Sequence, residues 1–155
     1  MRSRHSIAVA LSLLVTLGVA AAFAGDKAAN PIGPDGWPAT RAGQMGRAWV
    51  SAYCAGEDSM RAFLSRSMAP RNLEEKNVQV RIEKYKDLHD QYGRLQLDSV
   101  EESTPEKVTV KLLDADARSR TFIFTIQDGP PYKLVSVMIR QPMDGIHGLF
   151  NGFHH

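Results

Sequence analysis

Hydrophobic positions along this chain fall into three regimes. Ile7 to Ala20 is a nearly unbroken apolar run. From about Ala39 to Tyr92, apolar residues return every three or four positions, the period of a helix with one buried face. From Leu95 to Ile139 they alternate with polar residues, the period of a strand. The helical part predicts three helices. The first covers about residues 39–55, with Met45, Ala48, Trp49, Ala52 and Tyr53 on one face and Gly56 ending it. The second covers about residues 58–67, grouping Met60, Phe63 and Leu64, with Asp58 and Ser59 as N-cap types. Pro70 then breaks the pattern. The third starts at Asn72, which with Glu75 forms a capping-box-like pair. Val78, Ile82, Tyr85, His89 and Tyr92 follow at alternating steps of four and three, Leu88 widens the face, and Gly93 stops the helix.

Four strands are expected next. Leu95, Leu97 and Ser99 alternate in the first, and the stretch from Glu102 to Glu106 turns the chain. Val108, Val110 and Leu112 alternate in the second, which Asp114 to Ala117 closes. Phe122, Phe124 and Ile126 share one face of the third, with Ile123 on the other. Asp128 to Pro131 turns again, and residues 132–140 form the last strand. Short connections make this an antiparallel meander. Helices followed by strands predict an α+β fold, three N-terminal helices packed on a curved four-stranded antiparallel sheet, with a cone-like interior. The domain spans residues 39–142.

The segments outside it have other roles. Arg2 and Arg4 precede the apolar run, no acid interrupts them, and Ala22-Phe23-Ala24 follows, so residues 1–24 read as a cleavable signal peptide. The run is shorter than the ~20 residues of a comfortable bilayer span. No cysteine follows it for lipidation, and Ser3 separates the arginines, against a twin-arginine leader. The expected location is the periplasm or the exterior, with no stable membrane anchor after cleavage. Residues 25–38, rich in Gly, Pro and Asp, read as a flexible linker. Residues 143–155 (MDGIHGLFNGFHH) form a tail of Gly, His and large apolar residues.

Charge narrows the partners. Removing Arg2 and Arg4 leaves lysines and arginines equal in number to the 17 acids, so the exported chain is close to neutral. Arg81, Lys84 and Lys86 interleave with Glu83 and Asp87, a solvated helix face rather than a nucleic-acid stripe. Cys54 is the only cysteine, so no disulfide forms within the chain and stability rests on the core. Its apolar helical setting favours a small buried hydrophobe over a thiol paired between chains or reactive.

Residues 48–139 contain Ala55-Gly56-Glu57-Asp58, Met60-Arg61-Ala62-Phe63-Leu64, Leu88-His89, Tyr92-Gly93, Val100 to Pro105, and Pro130-Pro131-Tyr132-Lys133-Leu134. This stretch resembles the nuclear-transport-factor-two-like (cystatin-like) accessory domain found beside secreted bacterial beta-lactamase-like serine hydrolases and carboxy-terminal-processing-type proteases. The shared residues are structural ones. The resemblance implies an accessory module whose chemistry lies in a separate hydrolase, and some folds of this type hold cofactor-free enzymes with a His or Asp in an open cone.

The sequence contains no G-x-S-x-G, S-x-x-K, P-loop, H-E-x-x-H or C-x-x-C motif. His89 is the catalytic candidate, with Tyr85 and Tyr92 as orienting groups; a core histidine bonded to backbone or tyrosine is the plainer reading. Asp90, about 100° round the helix, is not expected to reach it. Trp49, Tyr53, Phe122 and Phe124 are the candidate lining of a ligand cone. Arg118 and Arg120 flank a strand start and read equally as the rim of a pocket or as solubilising charge. His147, His154 and His155 are metal-ligating types in a glycine-rich tail without fixed geometry, so adventitious binding is expected and no cofactor is assigned. The tail either docks through Ile146, Leu149, Phe150 and Phe153, on a partner or back on the sheet, or frays. The expected function is an exported non-catalytic binding or interaction module, joined to a protein partner or to a second copy through the sheet face. The alternative is a cofactor-free isomerase, dehydratase or hydrolase that uses His89 on a small hydrophobic substrate.

Overall fold

The computed structural model describes residues 32–140, and these form an α+β fold with four helices and one four-stranded antiparallel sheet. Helix α1 runs Arg41–Ala55, α2 Glu57–Ser67, α3 Pro70–Glu75 and α4 Val78–Tyr92. Strands β1 Gln96–Ser103, β2 Lys107–Leu113, β3 Ser119–Ile126 and β4 Leu134–Arg140 pair in sequence order.

The first helix forms much as its pattern demands. Thr40 caps it, its hydroxyl oxygen accepting from the Gly43 N–H at 3.1 Å. The start is bolted to the β1–β2 hairpin: the Ala42 N–H donates to the Pro105 carbonyl at 3.1 Å, and the Thr40 and Ser103 hydroxyls lie 2.9 Å apart. Trp49 and Tyr53 are buried and Met45 and Ala52 half-buried, but Ala48 is exposed. Gly56, at φ 113°, ends α1 and is also the N-cap of α2, with no side-chain cap from Asp58 or Ser59. A positive φ is cheap for glycine alone, which is why two helices abut here without a linker.

The expected third helix is two. Pro70 opens the short α3 at its N1 position instead of merely ending α2. Lys76 (φ −141°, ψ 108°) breaks the helical path, and Asn77 caps α4 by accepting from the Val80 N–H at 3.0 Å. Asn72 therefore does not cap the long helix. Its side-chain amide donates to the Val135 carbonyl (2.6 Å), and its backbone carbonyl accepts from Arg81 (2.6 Å), tying α3 to β4 and α4. Glu75 pairs with Arg71, 3.6 Å away on an exposed turn. Gly93, at φ 61°, closes α4 by donating to the His89 carbonyl.

The sheet presents one apolar face to the helices. Val108 opposes Phe124, Val110 opposes Phe122, and across β3 Phe124 opposes Val137 and Phe122 opposes Ile139. Ile123 and Met138 pair on the other face, where Met138 is exposed. In β1 the expected alternation through Ser99 fails. A register shift between Leu97 and Ser99 lets Leu97 oppose Leu112 and Val100 oppose Val110, so Val100 packs on the core while Ser99 is exposed. One extra residue reverses the faces beyond it, which simple period-two counting does not foresee.

The join of α4 to the sheet rests on Asp114. Its carboxylate is nearly fully buried; it accepts from the backbone N–H groups of Asp116 and Arg118 (3.0 and 2.9 Å) and from the Arg120 Nε at 3.1 Å. Arg120 lies on the Tyr92 ring, 5.3 Å from its centroid, so it braces α4 rather than rimming a pocket, while Arg118 pairs with Asp116 in solvent. Burial by itself raises the Asp114 carboxyl, but the Arg118 N–H, the Arg120 side chain and the Asp116 N–H outweigh it and hold it below its ordinary 3.8. A carboxyl lowered by folding stabilises the fold above its unfolded value and loses that contribution as pH falls through the folded one. Asp114→Asn is therefore expected to lower the thermal midpoint at pH 7, with the gap to the wild type narrowing steadily below about pH 4. Thermal scans from pH 7 to 2 check this, and a gap independent of pH would exclude an ionised Asp114.

Candidate functional site

Trp49, Tyr53, Phe122 and Phe124, the expected lining of a cone, are all buried and largely fill the space between α1 and the sheet. Trp49 stacks on Tyr53 with ring centroids 5.2 Å apart, and lies 6.0 Å from Phe122 and 5.5 Å from Phe124. Of these four, Trp49 lines the cavity between α2, α4 and β4. Tyr53 is fully buried, and its hydroxyl makes no hydrogen bond among the described residues. Burial pushes this phenol well above its ordinary 10.0, reinforced by Tyr85, so it stays protonated. An orphaned hydroxyl costs stability that a ring hydrogen does not. Tyr53→Phe is accordingly expected to keep or raise stability, by up to ~1 kcal/mol. Urea denaturation reads this directly, and a loss above ~1 kcal/mol would mean that the hydroxyl has a partner.

His89 is exposed, not packed in the apolar stripe of α4. Lys86, three residues before it on α4, pairs with Glu57, the first residue of α2, at 3.3 Å. The His89 ring borders those of Tyr53 and Tyr85 at 5.5 and 5.7 Å. Tyr85 is buried and donates to the Tyr53 carbonyl at 3.4 Å; burial raises its phenol. Tyr92 is buried under Arg120. The structure thus gathers His89 with Tyr85, but Tyr92 serves the Asp114 brace. Cys54 is also exposed, against expectation: it lies on the outer side of the last turn of α1, its thiol donating to the Leu95 carbonyl at 3.3 Å. His147, His154 and His155 lie outside the described residues, and no metal-ligating group of three or more His, Cys, Asp or Glu occurs among the described ones.

A more enclosed cavity lies elsewhere, between α2, α4 and β4, with a volume of about 400 Å³. Helix α4 packs on α2, and the space it leaves toward β4 becomes the cleft. Met60, Leu64 and Met68 form one wall, Leu134, Val137 and Ile139 of β4 another, and Val80, Tyr85 and Leu88 of α4 the third, with Trp49 among the lining residues. Val80 is 49% exposed, a large apolar side chain left uncovered at the edge. The rim is charged, with Lys76, Arg81 and Lys84 against Glu83 and Asp87. Arg81 is anchored there, its guanidinium donating to the Lys76 and Asn72 carbonyls at 3.0 and 2.6 Å. Such a cleft binds by apolar contact, with charges setting orientation at its mouth. A second, more open groove of about 560 Å³ runs beside Cys54, between Arg47 and Arg94.

Counting along the chain missed most of the cleft. Val80 was the available signal, a large apolar residue off the buried stripe of α4; Met60, Leu64, Val137 and Ile139 looked like ordinary core. No helix of the described residues is long and apolar enough to cross a membrane. No protein-family model, curated protein or solved structure matches the chain.

Proposed function

We propose that this protein is an exported, non-catalytic binding module that holds an apolar group in the α2–α4–β4 cleft. The observation that carries this reading is the lining: side chains from three elements present methyl and thioether groups to a space of about 400 Å³, and charge is confined to the rim. That volume accommodates a small aromatic or aliphatic group, or one anchoring side chain of a partner protein. Export rests on the leader-like residues 1–24, which would place the module in the periplasm or outside the cell. The resemblance of residues 48–139 to nuclear-transport-factor-two-like accessory domains extends the reading: the bound group would belong to, or be delivered to, a separate hydrolase. His89 does not line the cleft, so the binding role is independent of it.

The test is methyl NMR of the mature chain titrated with the apolar fluorescent probe anilinonaphthalene sulfonate. Methyl signals of Leu88, Leu134, Val137 and Ile139 are expected to shift together, while those of Val110, buried under α1, stay in place. Val137→Arg is expected to weaken probe binding at least tenfold, because a charge would stand on the apolar wall. Probe binding indifferent to this substitution, with no shift at the four residues, would sink the reading.

A further inference from the structure

The cleft has an uncovered apolar edge, and the chain itself supplies a segment suited to cover it. Strand β4 forms one wall through Val137 and Ile139, and Arg140 directly follows. The chain therefore leaves the described fold at the border of the cleft. The residues that come next, QPMDGIHGLFNGFHH, carry Ile146, Leu149, Phe150 and Phe153, separated by Gly145, Gly148 and Gly152. Ten residues separate Arg140 from Phe150, an extended reach of about 33 Å. The cleft follows α4 from Val80 to Leu88, about 12 Å of helix. Phe150 can therefore reach any point of it even after a full reversal of direction, and the glycines remove the steric bar to such a reversal.

Charge fits as well. The rim has three cations, Lys76, Arg81 and Lys84, against two acids, Glu83 and Asp87. Residues 141–155 contain one acid, Asp144, and no lysine or arginine. With its three histidines neutral the segment has a side-chain charge of −1, opposite in sign to the +1 of the cleft rim. Linkage in one chain raises the effective concentration of the segment at the cleft to the millimolar range, enough for a weak contact to be populated.

We propose that residues 143–153 fold back into the α2–α4–β4 cleft of the same chain, with Leu149 and Phe150 as anchors, and so compete with any external ligand. This rests on the reading of the cleft as a binding site. The tail is then a built-in competitor, and a ligand binds only as well as it displaces Leu149 and Phe150.

The experiment compares anilinonaphthalene sulfonate affinity and methyl spectra in the mature wild type, the double variant Leu149→Asp/Phe150→Asp, and the same double variant carrying Val137→Arg or Leu88→Glu. The tail substitutions leave every residue of the described core in place, so circular dichroism should be unchanged. The expected result is a probe affinity at least fivefold tighter in the tail variant, with shifted Val137 and Ile139 methyl signals, and loss of that gain when either cleft residue is charged. Equal affinity in wild type and tail variant, with binding still abolished by Leu88→Glu, would overturn the tail's role and leave the cleft reading standing. Absence of probe binding in every variant would overturn both. A gain that varies with protein concentration would place the tail in a second copy and overturn docking within one chain.

Discussion

Phe124→Ala is expected to remove about 3–5 kcal/mol of stability, the usual loss for a fully buried phenylalanine. Phe124 has no solvent exposure and sits at the centre of the aromatic layer. Its ring lies 5.5 Å from that of Trp49, 6.3 Å from Phe122 and 6.4 Å, edge-on, from Trp37. It is also flanked in the sheet by Val108 and Val137. The neighbours come from α1, both adjacent strands and the segment before α1, so no single element can move to close the void. Domains of this size hold about 5–15 kcal/mol in total, so this one substitution removes a large share of the margin. Urea denaturation followed by far-ultraviolet circular dichroism measures it. A loss below ~1 kcal/mol would show that the layer is loosely packed around this ring.

Gly43→Ala is expected to destabilise by about 1–3 kcal/mol, the range for overpacking a tight contact. Helix propensity alone predicts the opposite sign, since alanine exceeds glycine by ~1 kcal/mol inside a helix. The structure decides for the clash. A Cβ at Gly43 would lie 2.4 Å from the Pro38 carbonyl oxygen and 2.9 Å from its Cβ. The backbone oxygen cannot rotate away like a side chain, and it is held in place by the Gln44 side-chain amide at 3.1 Å. Relief would require lifting residues 37–38 off α1, and with them Trp37, which packs on Gly46 and Phe124. Gly129→Ala is the control: nothing lies within 4 Å of its added carbon, and its effect should stay within ~0.5 kcal/mol. If Gly43→Ala raised stability instead, propensity would dominate and the close approach of Pro38 would be wrong.

The two cases mark the boundary between local and tertiary information. Gly43 reads from the sequence as a weak point in a helix, whereas its role is to admit a neighbouring backbone. Cys54 and His89 share that history. Each falls in an apolar-looking helical stretch, and each is exposed. Periodicity assigns a residue to a helix face, but how far along the helix that face is covered depends on the length of the partner helix.

The sequence by itself determined the α+β class, the end of α1 at Gly56, the end of α4 at Gly93, and the inward set Phe122, Phe124 and Ile126 of β3. These follow from interactions within a few residues: backbone hydrogen bonding, the positive φ that glycine accepts, and the alternation of side chains along a strand. Tertiary structure alone decided the break at Lys76, the register shift that turns Val100 inward, the Asp114–Arg120–Tyr92 brace, and the cleft. Asn72 can cap a helix or bind the Val135 carbonyl, and only the position of β4 selects the second. The cleft brings Leu64 of α2, Leu88 of α4 and Ile139 of β4 to one space. It exists because the helices pack on one another more closely than α4 approaches β4, a difference in packing between segments distant in sequence that no local pattern records.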